Sequence, residues 1–210
     1  INPTGYTGSA GGACGGMPTM EAPSVSIENW ESLASNGGAG GSGGCSHFSN
    51  TADIITLVLQ SGGIVAQSIG GDGGIGGIGI GAATSLVAPS ITLGGSGGSG
   101  AIGDEAYIYN LGKIATSGVS STGLIAQSIG GHGGISGFVV SAGTSSKAEP
   151  ITAALGAIDG GSGANGAYAH VYGTGKVSTS GALSTGIVAE SIGGGGGSST
   201  SNIRLGGGRS

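Results

Sequence analysis

The side chains best suited to chemistry are few: three histidines, ten carboxylates and two cysteines in 210 residues. His132 sits in Gly-Gly-His-Gly-Gly. The same frame carries Asp72 earlier (132 − 72 = 60) and Gly195 later (195 − 132 = 63). A position that takes His, Asp and Gly reads as an exposed turn rather than a metal ligand. His47 and His170 align with Tyr107, which places them on a strand surface. Scattered histidines and cysteines give no zinc spacing. Calcium-binding β-rolls need an Asp recurring in successive units of about nine residues, and Gly70-Gly71-Asp72-Gly73-Gly74 supplies one only once. No metal or cofactor site is expected.

The carboxylates are equally dispersed. Polysaccharide cleavage needs at least two of them converging on a groove, and Asp104-Glu105 and Asp159 do not recur in register. Glycine runs produce chance G-x-G-x-x-G and G-x-S-x-G matches, as at Gly40 to Gly44. No helix follows them to hold a phosphate, and no triad can be assembled. One threonine per repeat, at Thr56, Thr116 and Thr179, is too sparse for an ice-binding array. The expectation is a protein that is not an enzyme. Cys14 and Cys45 are candidates for one disulfide, with two unrelated thiols as the alternative. In the chain-entropy model a loop of this size would gain about 3–4 kcal/mol.

What must position any of these residues is a recurring block. Gly63 to Gly71 reads GIVAQSIGG, Gly123 to Gly131 reads GLIAQSIGG, and Gly186 to Gly194 reads GIVAESIGG. Self-similarity at a long period decides architecture before any local feature does. Within the blocks, Ile64-Val65-Ala66-Gln67-Ser68-Ile69, Leu124-Ile125-Ala126-Gln127-Ser128-Ile129 and Ile187-Val188-Ala189-Glu190-Ser191-Ile192 are short apolar runs bounded by glycine. That pattern predicts strands. The pairs Gly70-Gly71, Gly130-Gly131 and Gly193-Gly194 are expected to turn the chain after each strand, since glycine reaches φ > 0 readily. Glutamate replacing glutamine in the third block implies access to water, because a buried unpaired carboxylate is costly.

Composition agrees. There are 54 glycines, yet no strict three-residue period over the chain, so collagen is excluded. Apolar content is too high for a disordered chain. Five Lys plus Arg against ten Asp plus Glu leave no basic patch for nucleic acid. No run is long enough for a transmembrane helix. The start at Ile1, without Met or signal pattern, suggests a mature product or a fragment.

Taken in order, residues 1–24 read as an atypical cap or assembly segment, broken by Pro3, Pro18 and Pro23. Residues 25–210 read as a repetitive solenoid with repeats at roughly 25–84, 85–147 and 148–210. A second strand precedes each block, aligning Ile54, Ile114 and Val177. Sixty residues suit two or three solenoid rungs, which would put Gln67 and Gln127 two or three rungs apart.

The AQSIGG block, the glycine run after it and the strand pair before it (Tyr107 to Gly118 with Gly123 to Gly134, and Lys176 to Gly181 with Gly186 to Gly197) resemble the glycine-rich repeats of Gram-negative autotransporter adhesin passengers. The resemblance implies an elongated β-rich structure on the outer cell surface. The cysteines and the lack of a barrel segment depart from that family. The fold expected is all-β, a parallel β-helix or solenoid. The alternative packs the glycine spacers as polyproline-II-like helices. The function expected is a non-catalytic fibre subunit or adhesin stalk segment, associating with itself or continuing a longer array. The alternative is a module that binds a host or surface glycan or a receptor through Trp30, Tyr107, Tyr109, Tyr168 and Tyr172.

Overall fold

The computed structural model describes residues 31–33, 36–83, 90–145, 152–155, 159–199 and 202–208. The N-terminal segment 1–24, with Cys14, and Trp30 lie outside the described residues. Regular structure among the described residues is all β. The first repeat gives β1 (Glu31–Leu33), β2 (Ser46–Asn50), β3 (Ile54–Thr56), β4 (Ile64–Ile69) and β5 (Gly79–Ala83). The second gives β6 (Ser90–Leu93), β7 (Ala106–Asn110), β8 (Ile114–Thr116), β9 (Leu124–Ile129) and β10 (Val139–Ser145). The third gives β11 (Thr152–Leu155), β12 (Ala169–Tyr172), β13 (Val177–Thr179), β14 (Ile187–Ile192) and β15 (Asn202–Gly208).

Each strand pairs in parallel with the strand five places on. The result is five sheets of three strands, such as β4-β9-β14. Register follows the sequence repeat: Ile64 pairs with Leu124, which pairs with Ile187. Ile54, Ile114 and Val177 align as expected, and so do His47, Tyr107 and His170. One sixty-residue repeat is therefore one layer. The expectation of two or three rungs per repeat is corrected: Gln67 and Gln127 are adjacent and share a 2.6 Å hydrogen bond. The period marks equivalent residues without saying how far the chain travels before they meet.

Alternation produces the core. Ile64, Ala66 and Ser68 point inward along β4, while Val65, Gln67 and Ile69 point out. Ile108, Ile114, Leu124 and Ala126 of the middle layer are completely or almost completely buried and join Ile64, Ala66 and Ala106 in one cluster. Each large member contributes about 1.5–3 kcal/mol by leaving water.

The glycine spacers do something else. The segment from Gly94 to Gly103 follows a rule of three. Gly95, Gly98 and Ala101 donate sideways to Gly77, Gly74 and Gly71 of an antiparallel neighbour. Gly97, Gly100 and Gly103 donate to Asp159, Ser162 and Asn165 in the next layer. Ser96, Ser99 and Ile102 form the remaining register, and the carbonyls of all three accept from the layer before. Three residues per turn without internal hydrogen bonds is the habit of the polyproline-II helix. The pairs Gly70-Gly71, Gly130-Gly131 and Gly193-Gly194 belong to these segments. None has the positive φ expected of a turn, and no turn or bend is assigned there. They are glycine because neighbours approach closely: a Cβ on Gly70 would overlap the carbonyl of Ala101, and one on Gly131 that of Gly71.

The actual turns lie before each block, at Gln60, Ser120 and Leu183, with φ of 55°, 54° and 56°. Left-handed backbone at non-glycine residues costs about 1–2 kcal/mol each.

Candidate assembly site

Each side chain of the recurring block has a defined place. Gln67 donates to Gln127 at 2.6 Å, and Gln127 donates to Glu190 at 2.7 Å, on the water-exposed side of the sheet. An amide can both donate and accept, so a glutamine column extends indefinitely. A carboxylate only accepts, so Glu190 receives the ladder and donates nothing onward. Ser68 and Ser128 are buried, and their Oγ atoms accept from the backbone N–H of Asp104 and Ala167, both at 2.7 Å. They tie the end of the block to the strand entering the following layer.

The third layer presents the same columns without cover. Ile64 is 5% exposed, whereas Ile187 is 52% exposed. Val188 is half-buried, while Ala189, Glu190, Ser191 and Ile192 are exposed. An open hollow of about 580 Å³ lies there, lined by Gly166, Ala167, Tyr168, Ala169, Ala189 and Ser191.

Three polar features escaped the sequence reading. Asn50 Nδ2 donates to Asn110 Oδ1 at 2.8 Å and to Ala52 O at 2.7 Å, and Asn110 Nδ2 donates to Gly112 O at 2.8 Å. Both asparagines are buried, and their equal spacing from the block was the available signal. Ser121 forms a clamp: its Oγ accepts from Ser61 N–H at 3.1 Å and donates to Val58 O at 3.1 Å. Thr116 closes the same turn through Ser121 O at 2.9 Å, and Thr56 does so through Ser61 O at 3.0 Å. The threonine column therefore serves the turns.

The groups weighed for chemistry are placed on the surface. His132 Nδ1 lies 3.4 Å from Asp72 Oδ1, and His47 Nε2 lies 3.4 Å from Glu105 Oε2. Both pairs are exposed, where an ion pair is worth about 0–1 kcal/mol at most. Among the described residues no three His, Cys, Asp or Glu side chains group as metal ligands. Cys45 is exposed with a free thiol. A hydrogen bond to the Asp104 carboxylate pushes that thiol up, and the same bond, with a second from Glu105 N–H, pulls Asp104 down.

The described tyrosines gather on the sheet β2-β7-β12. Tyr107 meets His47 and His170 at ring-centroid distances of 5.6 and 6.4 Å, and Tyr109 stacks on Tyr172 at 5.5 Å and 17°. Such stacking covers ring faces with other rings and leaves edges to solvent. A sugar needs an accessible ring, and at the third-layer end Tyr168 and Tyr172 are 73% and 65% exposed.

No helix among the described residues is long and apolar enough to cross a membrane. No family model matches the chain, and no curated protein or solved structure matches it significantly.

Proposed function

We propose that the chain is a non-catalytic structural segment of a Gram-negative cell-surface protein, one stretch of a longer β-solenoid stack of the adhesin-stalk kind. The observation that carries this reading is the in-register stacking of whole repeats, with side-chain ladders running from layer to layer. Magnitude favours a segment over a finished rod. Each layer advances the stack by only about 4.8 Å, so three layers separate first from last by about 10 Å. A projecting stalk needs many more. Immunogold labelling of intact cells of the producing organism tests the reading. Label is expected on the outer surface without permeabilisation; label that appears only after lysis overturns it.

A glycan-binding reading has one observation in its favour, the exposed rings of Tyr168, which lines the hollow, and Tyr172 on the same layer. A glycan array comparing the chain with a Tyr168→Ala/Tyr172→Ala variant tests it. Retention of a glycan by the chain and its loss by the variant would support a binding module.

A further inference from the structure

We infer that the third-layer face is a docking surface for one further repeat of this chain's own type, laid on it in parallel and in register. The inference deepens the reading of the chain as part of a stack and rests on it. The two interfaces between described layers show what a covered face requires. Cβ atoms on Gly63 and Gly123 would overlap the carbonyls of Gly123 and Gly186 in the following layer, and the Ile114 and Val177 side chains there. Gly70 and Gly130 stand in the same relation to Ala101 and Ala164, and Gly73 and Gly133 to Gly98 and Gly161. In these three columns it is the following layer that demands glycine.

The third layer keeps the glycines although no described layer follows. They are Gly186, Gly193 and Gly196. Among the described residues nothing lies within 4 Å of a Cβ placed on Gly186 or Gly196, and nothing nearer than 3.8 Å for Gly193. None of the three has positive φ. Glycine carries an entropic cost wherever it is ordered, and a covering layer accounts for that cost here. The backbone donors agree. Gly123, Gly130 and Gly133 donate to the carbonyls of Thr185, Ile192 and Gly195 in the following layer. The N–H groups of Gly186, Gly193 and Gly196 meet no such carbonyl among the described residues. Ser191 lies where its equivalents Ser68 and Ser128 each accept an N–H from the strand entering the following layer.

The same columns specify the occupant. It carries glycine above Gly175 and Gly181, because Cβ atoms on those two would overlap the carbonyls of Gly112 and Gly118 one layer below. It carries a β-branched residue above Val177 and a backbone N–H for Ser191 Oγ. Above Glu190 it carries a donor, since a second carboxylate in that column would be repelled. The second repeat of this chain, with Gly112, Ile114, Gly118 and Gln127, has every residue named.

The test supplies that occupant. The full chain is compared, under reductant, with the same chain extended after Ser210 by a copy of residues 86–147. Amide hydrogen exchange is read by NMR at Gly186, Ile187 and Gly193. In the extended chain these amides are expected to exchange at least about tenfold more slowly. Gly186→Ala is expected to leave the urea midpoint of the full chain unchanged and to lower that of the extended chain. Three results would overturn the inference. One is an added repeat that shows no strand by circular dichroism, since the same residues fold upon the first layer. The second is a folded addition that leaves exchange at the three amides unaltered. The third is Gly186→Ala tolerated equally in both chains. Slow exchange at these amides in the full chain alone would overturn it as well. If that protection rose with concentration, the face would belong to a second copy; if it did not, to another segment of the same chain. A failed surface-labelling experiment leaves all these readouts standing, so the two readings fail separately.

Discussion

The strand columns and the glycine segments stack the same three layers by different means. In β4-β9-β14 the period is two, and side chains fill the space between backbones. Ile64, Leu124 and Ile187 can differ because a core tolerates apolar exchange of similar volume. In the glycine segments the period is three, and backbones meet with nothing between them. Gly134 donates to Gly98 O at 2.7 Å, and Gly161 donates to Gly134 O at 2.8 Å. There the repeat tolerates almost nothing at the two inward positions and almost anything at the third, where Asp72, His132 and Gly195 share a column. Glycine thus acts as a spacer of zero volume, and its ordering cost is offset by two directions of hydrogen bonding rather than one.

That contrast predicts the largest effect. Gly134→Val places carbon inside the carbonyl of Gly74, where no rotamer change relieves the overlap. A loss of about 4 kcal/mol or more is expected, enough to disrupt the second and third layers. Urea unfolding followed by circular dichroism reads it. A loss below that of a core truncation would break the comparison. Ile108→Ala in the strand core is the matched change, since Ile108 is completely buried. It leaves a cavity rather than a collision, and about 2–4 kcal/mol is expected in the same assay.

Polar ladders should fall next. Asn110→Ala removes one of the two acceptors of Asn50 Nδ2 and the side-chain donor to Gly112 O in a buried place, so about 1–3 kcal/mol is expected. Asn110→Ser, a shorter polar residue, should recover only part of it. The third layer has Gly173 where the ladder would continue, with φ of 141° and its missing Cβ directed at Asn110 O. The ladder is thus limited to two layers, in contrast to the glutamine column, which spans all three.

How much of this was legible follows from the same contrast. The strand columns and their register could be read because the block repeats at fixed offsets and alternation marks its inner face. The exposure of Gln67 and Glu190 followed from one substitution between repeats. The layer thickness could not be read, because the repeat length alone does not say how many circuits it makes. Polyproline-II-like packing of the glycine spacers could be read only as the alternative, because averaging weakens its signal. The chain as a whole lacks a three-residue period, yet Gly70-Gly71-Asp72-Gly73-Gly74-Ile75 and Gly94-Gly95-Ser96-Gly97-Gly98-Ser99 each have one. The left-handed turns gave no sign, since Gln60, Ser120 and Leu183 are not residues that favour that backbone.

Leu183 offers a gain of stability. It is 87% exposed, so removing its side chain forfeits little packing, while its φ of 56° suits glycine. Leu183→Gly is expected to raise stability by about 0.5–1 kcal/mol, the steric relief exceeding the added entropy of the unfolded chain. A shift of the urea midpoint upward checks it; a downward shift would show that the turn is set by the side chain.

The smallest effect tests Cys45 at the entry to β2. Its thiol is raised by the hydrogen bond to Asp104 and by that carboxylate's charge, and Asp104 is lowered by the same bond. The lowered carboxyl gives stability present above its unfolded pKa and lost as pH falls through the folded value. The raised thiol gives stability present below its unfolded pKa and lost as pH rises through the folded value. Near neutral pH the bond is intact from both sides. The thiolate is the reactive form, so Asp104 slows attack by Cys45. Asp104→Asn removes the charge, and alkylation of Cys45 by iodoacetamide near pH 8, under a phosphine reductant, is expected to run about threefold faster. Mass spectrometry of the Cys45 peptide separates it from Cys14. A slower reaction in the variant would mean that Asp104 acts on Cys45 through access rather than charge.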